Sequence, residues 1–233
     1  MVGYHKRSDP ATAYARQIID ELKASAELGP MKYVRILMPA GDFIANGLAG
    51  MLKTDEQFPP LESEGRPPDM DDQTAKKYVA FVNYYIHQVN LMRHLMTEPY
   101  EVAYADPSGV LLAVRSKSGV PGVIEMTPYR TTVDWQESVL VAFEKGYVRL
   151  RLPPPLACNR AGTVEIYKDP GKGKMPQRTE PTFPHVHAML QQAVNFVKVC
   201  KGEMAPPCQA SEAVEDLRIA RDYIRLHAAS AAN

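Results

Sequence analysis

Apolar residues along this chain recur with two different periods, and each predicts a different kind of element. The longest run, 78–96, carries Val79, Val82, Tyr85, Ile86, Val89 and Met92 at helical spacing. It predicts one long helix that needs cover on both sides. Its polar exceptions, Asn83, His87, Asn90 and His94, are spaced by four, three and four and gather within roughly 60° of the helical wheel. Each unpaired buried polar group costs on the order of 1–3 kcal/mol, so this stripe requires partners. Protein groups or a polyhydroxylated ligand could supply them.

Other helices are marked by punctuation as well as period. Asp9-Pro10 supplies a cap and a first-turn proline for a helix through Ala13, Ile18, Ile19 and Leu22, which Gly29-Pro30 stops. Two more close the chain, over His185–Lys201 and Ser211–His227. Short β-rich runs lie at Val2–His5, Lys32–Met38, Tyr100–Ala105, Val110–Arg115, Val123–Thr132, Ser138–Glu144, Tyr147–Leu152 and Thr163–Lys168. After the long helix the connections are brief and rich in Gly, Pro and Asp, which implies hairpins and a largely antiparallel sheet. The expected fold is therefore α+β: one large, mostly antiparallel, open-faced sheet with helices on one face, in a single domain spanning 1–233. The uncovered face is expected to pair copies of the chain into a homo-oligomer.

Two stretches lack periodicity. Residues 39–72 hold four glycines, five prolines and the apolar Phe43, Ile44, Leu48, Met51 and Leu52, which favours a packed loop or lid over a disordered one. Residues 169–184 read as a second open loop.

Composition narrows the function. The 27 basic and 27 acidic residues balance, and no basic block is present, so neither nucleic acid nor an anionic membrane is expected as a partner. A small, mostly neutral ligand is. Three cysteines, Cys158, Cys200 and Cys208, show no metal or disulfide spacing and suit a reducing, cytoplasmic setting. No run of about 18 apolar residues exists, so the chain reads as soluble. His185 and His187 lack a third ligand nearby, and Lys172 and Lys174 lie outside any P-loop pattern, so no metal or phosphate site is expected there. Tyr129, Arg130 and Trp135, at the end of a strand, are candidates for lining a sugar pocket, since aromatic faces stack on sugar rings.

Three segments together resemble a known family. They are Gly3-Tyr4-His5-Lys6-Arg7-Ser8-Asp9-Pro10, the helix Asn83-Tyr84-Tyr85-Ile86-His87-Gln88-Val89-Asn90, and the ending Phe196 to Gly202 with Pro207 to Arg221. In this order and spacing they resemble the C-terminal domain of the glucose-fructose oxidoreductase / inositol dehydrogenase (Gfo/Idh/MocA) family, over nearly the whole chain. The resemblance implies an NAD(P)-dependent sugar or cyclitol oxidoreductase whose N-terminal Rossmann domain holds the nucleotide and whose C-terminal domain binds substrate and forms oligomers. It casts His87 as the catalytic acid/base, a role that suits an imidazole. Asn83 and Asn90 stand where the family has aspartates, so His87 is expected to be less basic than there. Lys6 matches a usually basic position near the substrate.

The departures matter equally. No GxGxxG follows an N-terminal strand, and the family's Glu-Lys-Pro segment is missing. NAD or NADP is thus expected only in the complete enzyme and none on this chain alone. A separate Rossmann-domain subunit, or an undivided parent, would supply the rest. The alternatives are a non-catalytic carbohydrate-binding or scaffolding module, and a plain assembly subunit.

Overall fold

Asp9 opens α1 (Pro10–Ser25) by accepting from the Ala11 amide at 2.8 Å, while Pro10 occupies the first turn, where no amide partner is required. Before it, the expected strand at Val2–His5 does not form. The Val2 and Tyr4 amides go to Cys208 and to Val2 itself, and His5–Ser8 winds into a buried 3-10 turn. This computed structural model describes residues 1–39, 41–62, 65–126, 129 and 131–231.

The strand β1 (Met31–Leu37) leads into the long connection and then α2 (Asp72–Met96). That helix begins well before Tyr78, because Asp71 caps it through the Thr74 amide at 2.8 Å, and its first turns are polar. Next come β2 (Tyr100–Ala105), β3 (Leu111–Ser116), β4 (Pro121–Glu125), β5 (Glu137–Phe143), β6 (Gly146–Leu152), β7 (Thr163–Lys168) and β8 (Gln177–Thr179). β8 lies within the stretch expected to be an open loop. The strand expected over Val123–Thr132 ends at Glu125, and positions 127, 128 and 130 lie outside the described residues. The chain closes with α3 (Ala188–Cys200) and α4 (Ala210–Ala231).

The strands form one sheet in the order β2-β3-β4-β1-β5-β6-β7-β8. Only β1 with β4 is parallel; every other pair is antiparallel. Alternation sets the faces. Val34, Ile36, Ile124, Val139, Val141, Val148 and Leu150 are buried beneath the helices, α1 over β6 and β7 and α2 over β1 and β4. On the opposite face, register places Arg35, Leu140, Arg149 and Glu165 in one row, with Arg149 and Glu165 paired at 3.1 Å. This is the expected α+β sheet with one open face. Among the described residues no helix is long and apolar enough to cross a membrane.

The long connection divides in two. A Cβ on Gly41 would lie 2.4 Å from the Asp134 carbonyl oxygen, and one on Gly47 2.0 Å from that of Leu156, so only glycine allows the backbone this close. The Leu156 amide bonds to the Phe43 carbonyl at 3.1 Å. Beyond Gly50, by contrast, Leu52, Phe58 and Leu61 are 95%, 94% and 88% exposed, so the stretch packs as a lid over residues 41–49 and again at the buried Met70, rather than throughout 39–72.

Candidate functional site

The lid, the 3-10 turn and one flank of α2 enclose a cavity of about 270 Å³. His87, Asn83 and Gln88 reach it from α2, His5 and Lys6 from the 3-10 turn, and Phe43 from the lid; Trp135, just ahead of β5, closes one wall. Trp135 also lines a neighbouring cleft of about 710 Å³ with Glu137, Arg151 and Arg160.

His87 packs its ring edge-on against His5 at 4.6 Å and Tyr4 at 5.8 Å. Burial, and then the Lys6 cation, push its pKa down to about 4, so the imidazole is neutral at physiological pH. The same causes, with His87 itself added, hold His5 far below its usual value. The Nδ1 of His87 is buried with no hydrogen-bond partner among the described residues, and so is the Nε1 of Trp135. A neutral imidazole with a free ring nitrogen can take a proton from a bound hydroxyl or give one back.

The sequence-predicted residues do not all meet here. Asn83 sits exposed at the cavity's edge, without a partner among the described residues. Lys6 reaches the cavity but is bound to Glu137 at 2.6 Å, and both side chains are at most 5% exposed. Asn90 is elsewhere: it accepts from Arg7 at 2.7 Å and donates to Asp216 at 2.6 Å, so protein groups rather than a substrate occupy its amide. It is 1% exposed and lines no part of the cavity. The helical wheel hides height, and Asn90 lies about 4.5 Å farther along the axis than His87. Tyr129 also stands outside the cavity, its hydroxyl donating to Gln136 at 2.8 Å. Arg130 lies outside the described residues.

Three participants escaped the sequence pattern: His5, Gln88 and Glu137. Glu137 is 3% exposed and receives Lys6 on one oxygen and Gln88, at 2.8 Å, on the other. A carboxylate at an inward-facing strand position was the available signal. Among the described residues no group of three or more His, Cys, Asp or Glu side chains could hold a metal ion.

No family model matches the chain, and no curated protein matches it. Solved structures do. The aldose-aldose oxidoreductase of Caulobacter crescentus, crystallised with glycerol, superposes with a TM-score of 0.56 at 16% identity, over 98% of this chain and 62% of its own. The UDP-N-acetylglucosamine 3-dehydrogenase of Acidithiobacillus ferrooxidans gives 0.58 at 14% identity, over 98% and 61%. In fold, the chain resembles the C-terminal domain of the Gfo/Idh/MocA oxidoreductases. It spans about three-fifths of the length of the structures it matches. At such identity the match establishes the fold, which agrees with the one expected from the three sequence segments.

Proposed function

We propose that this chain is the ring-binding part of an NAD(P)-dependent oxidoreductase that acts on a sugar or cyclitol. The observation that carries this is His87: neutral, with an unpartnered Nδ1, at a cavity of about 270 Å³ whose other polar groups suit hydroxyls. In this reading His87 accepts the proton of the reacting ring hydroxyl, or returns it to the carbonyl. Asn83 holds a further hydroxyl at the edge, and Trp135 offers its indole to the ring.

The nucleotide does not fit on these residues. β1 runs into the lid segment rather than into the start of a helix, so among the described residues no strand leads directly into a helix start whose amides could hold a pyrophosphate. It would be held by a Rossmann domain, either on a separate subunit or in a longer form of the chain. We further propose that copies of the chain associate through the open sheet face, and that the protein works in the cytoplasm, where free cysteines such as Cys158 and Cys200 stay reduced.

Native mass spectrometry of the chain recovered from its source lysate tests the division of labour. A co-purifying nucleotide-binding polypeptide supports it. In the enzyme assembled with that polypeptide, His87→Ala should lower turnover at least about tenfold, at or below the low end for general acid–base groups; unchanged turnover would remove His87 from the chemistry.

A second reading is a non-catalytic carbohydrate-binding module. It is favoured by Asn83 standing in place of a carboxylate and by the pKa of His87 near 4, which leaves little imidazolium to stabilise. Sugar binding by the chain with only copies of itself recovered would put this reading first.

A further inference from the structure

Glu137 divides its carboxylate between two elements. One oxygen accepts from the Lys6 ammonium at 2.6 Å and the other from the Gln88 amide nitrogen at 2.8 Å. The second bond decides which way the Gln88 amide points: with Nε2 facing the carboxylate, Oε1 faces away from it. That oxygen is buried, and no described residue donates to it, although Gln88 is only 1% exposed and lines the His87 cavity. The bond to Glu137 accounts for the Gln88 Nε2 alone, and its Oε1 carries a cost unless a bound group donates to it. Lys6, 4% exposed, lines the same cavity and has spent one of its three donors on Glu137. A donor and an acceptor on the lining of one cavity are thus each fixed by an oxygen of the same carboxylate.

We propose that Lys6 and Gln88 together read one hydroxyl of the ring, Lys6 donating to its oxygen and Gln88 accepting its proton, with Glu137 as the positioning residue. This rests on the sugar or cyclitol reading given above. A hydroxyl both accepts and donates; a carbonyl oxygen or a fluorine can only accept, and a deoxy position does neither. The pair therefore selects a hydroxyl over a keto, fluoro or deoxy group at one ring position. Because Glu137 neutralises Lys6, the pair offers no net charge to an anionic substituent, which favours a neutral ring there.

The test is calorimetric titration of the full chain with D-glucose, D-galactose, D-mannose and myo-inositol, then with the monodeoxy and deoxyfluoro derivatives of the tightest binder. At one ring position both derivatives should bind about tenfold to a hundredfold more weakly, the penalty for an unpaired buried partner. Gln88→Met should remove most of the discrimination against the fluoro derivative. Should that variant fail to fold, the side-chain amide resonances of Gln88 in the wild-type chain give the answer: they should shift with the parent sugar and not with the rejected fluoro sugar. A sugar that binds while Gln88→Met keeps full discrimination, or while the Gln88 resonances stay unmoved, overturns the proposal and leaves the sugar reading standing. If no member of the panel binds the wild-type chain, the sugar reading fails and this proposal fails with it.

Discussion

Two polar clusters lie along α2, less than two turns apart, and they are finished to different degrees. Around Asn90 and Arg93 each charge meets an opposite one, although Arg7 Nη2 lacks a hydrogen-bond partner among the described residues: Asp216, fully buried, receives Asn90 at 2.6 Å and Arg93 at 2.7 Å, and Arg7 bridges Asn90 and Glu212. Around His87 the network stops short, with His87 Nδ1, Gln88 Oε1 and Trp135 Nε1 buried and unpartnered among the described residues. Both clusters descend from the same stripe of polar residues on one helix. The completed one ties the 3-10 turn, α2 and α4 together; the incomplete one faces a cavity. Polar residues at equal burial thus do opposite work, and satisfaction distinguishes them better than burial does.

The sharpest way to break this contrast is to remove a member of the completed cluster. Asp216→Ala takes the acceptor from the Arg93 guanidinium and from the Asn90 amide nitrogen, and should cost about 3–5 kcal/mol, read from urea unfolding. A cost near zero would mean that the network is not structural. Lys6→Met probes the boundary, since it strands Glu137 and should cost a similar amount. Adding Glu137→Leu to Lys6→Met should recover much of the loss, because a buried ion pair replaced by apolar groups is often near neutral. Failure to recover would mean that Glu137 holds the fold through Gln88 rather than through Lys6.

The fold was legible where period and punctuation agreed. β2 and β7 fall on the expected residues, because both runs are bounded by Gly, Pro and Asp. β8 was not legible, since Gln177–Thr179 is three exposed polar residues held only by its neighbour β7. The start of α2 was hidden for a related reason: its first turns carry a cap instead of an apolar face. In the site, His87 and Asn83 were visible as a helical pair. Glu137 was not, because its meaning comes from Lys6, 131 residues away, and no local spacing encodes that contact. Asn90 shares the angle of that stripe but lies higher on the axis, where protein groups take its amide.

Histidines refine the comparison at a smaller scale. His87 is pushed down to about 4 and His94 to about 3, both chiefly by burial, and His5 lies lower still. The unfolded chain therefore takes up protons at these positions as pH falls through about 6.5, while the folded chain does not, and the uptake favours unfolding. Stability should decline between pH 7 and 5, approaching about 1.4 kcal/mol per pH unit for each histidine below 6.5. Denaturation midpoints across that range measure it, and His87→Gln should make the slope shallower by one histidine's share.

The smallest expected effect discriminates most cleanly. Asn83 is exposed and has no partner among the described residues, so Asn83→Ala should change stability by no more than about 0.5 kcal/mol. If Asn83 holds a ring hydroxyl, the same substitution should weaken sugar binding by about twofold to tenfold, the worth of one net hydrogen bond. Asn90→Ala should do the reverse, lowering stability while leaving the affinity of the folded chain intact, because its amide is already engaged by Arg7 and Asp216. Two asparagines seven residues apart on one helix would then separate binding from folding. Equal effects of the two on either property would show that the clusters are one network, and that the free groups around His87 belong to the fold.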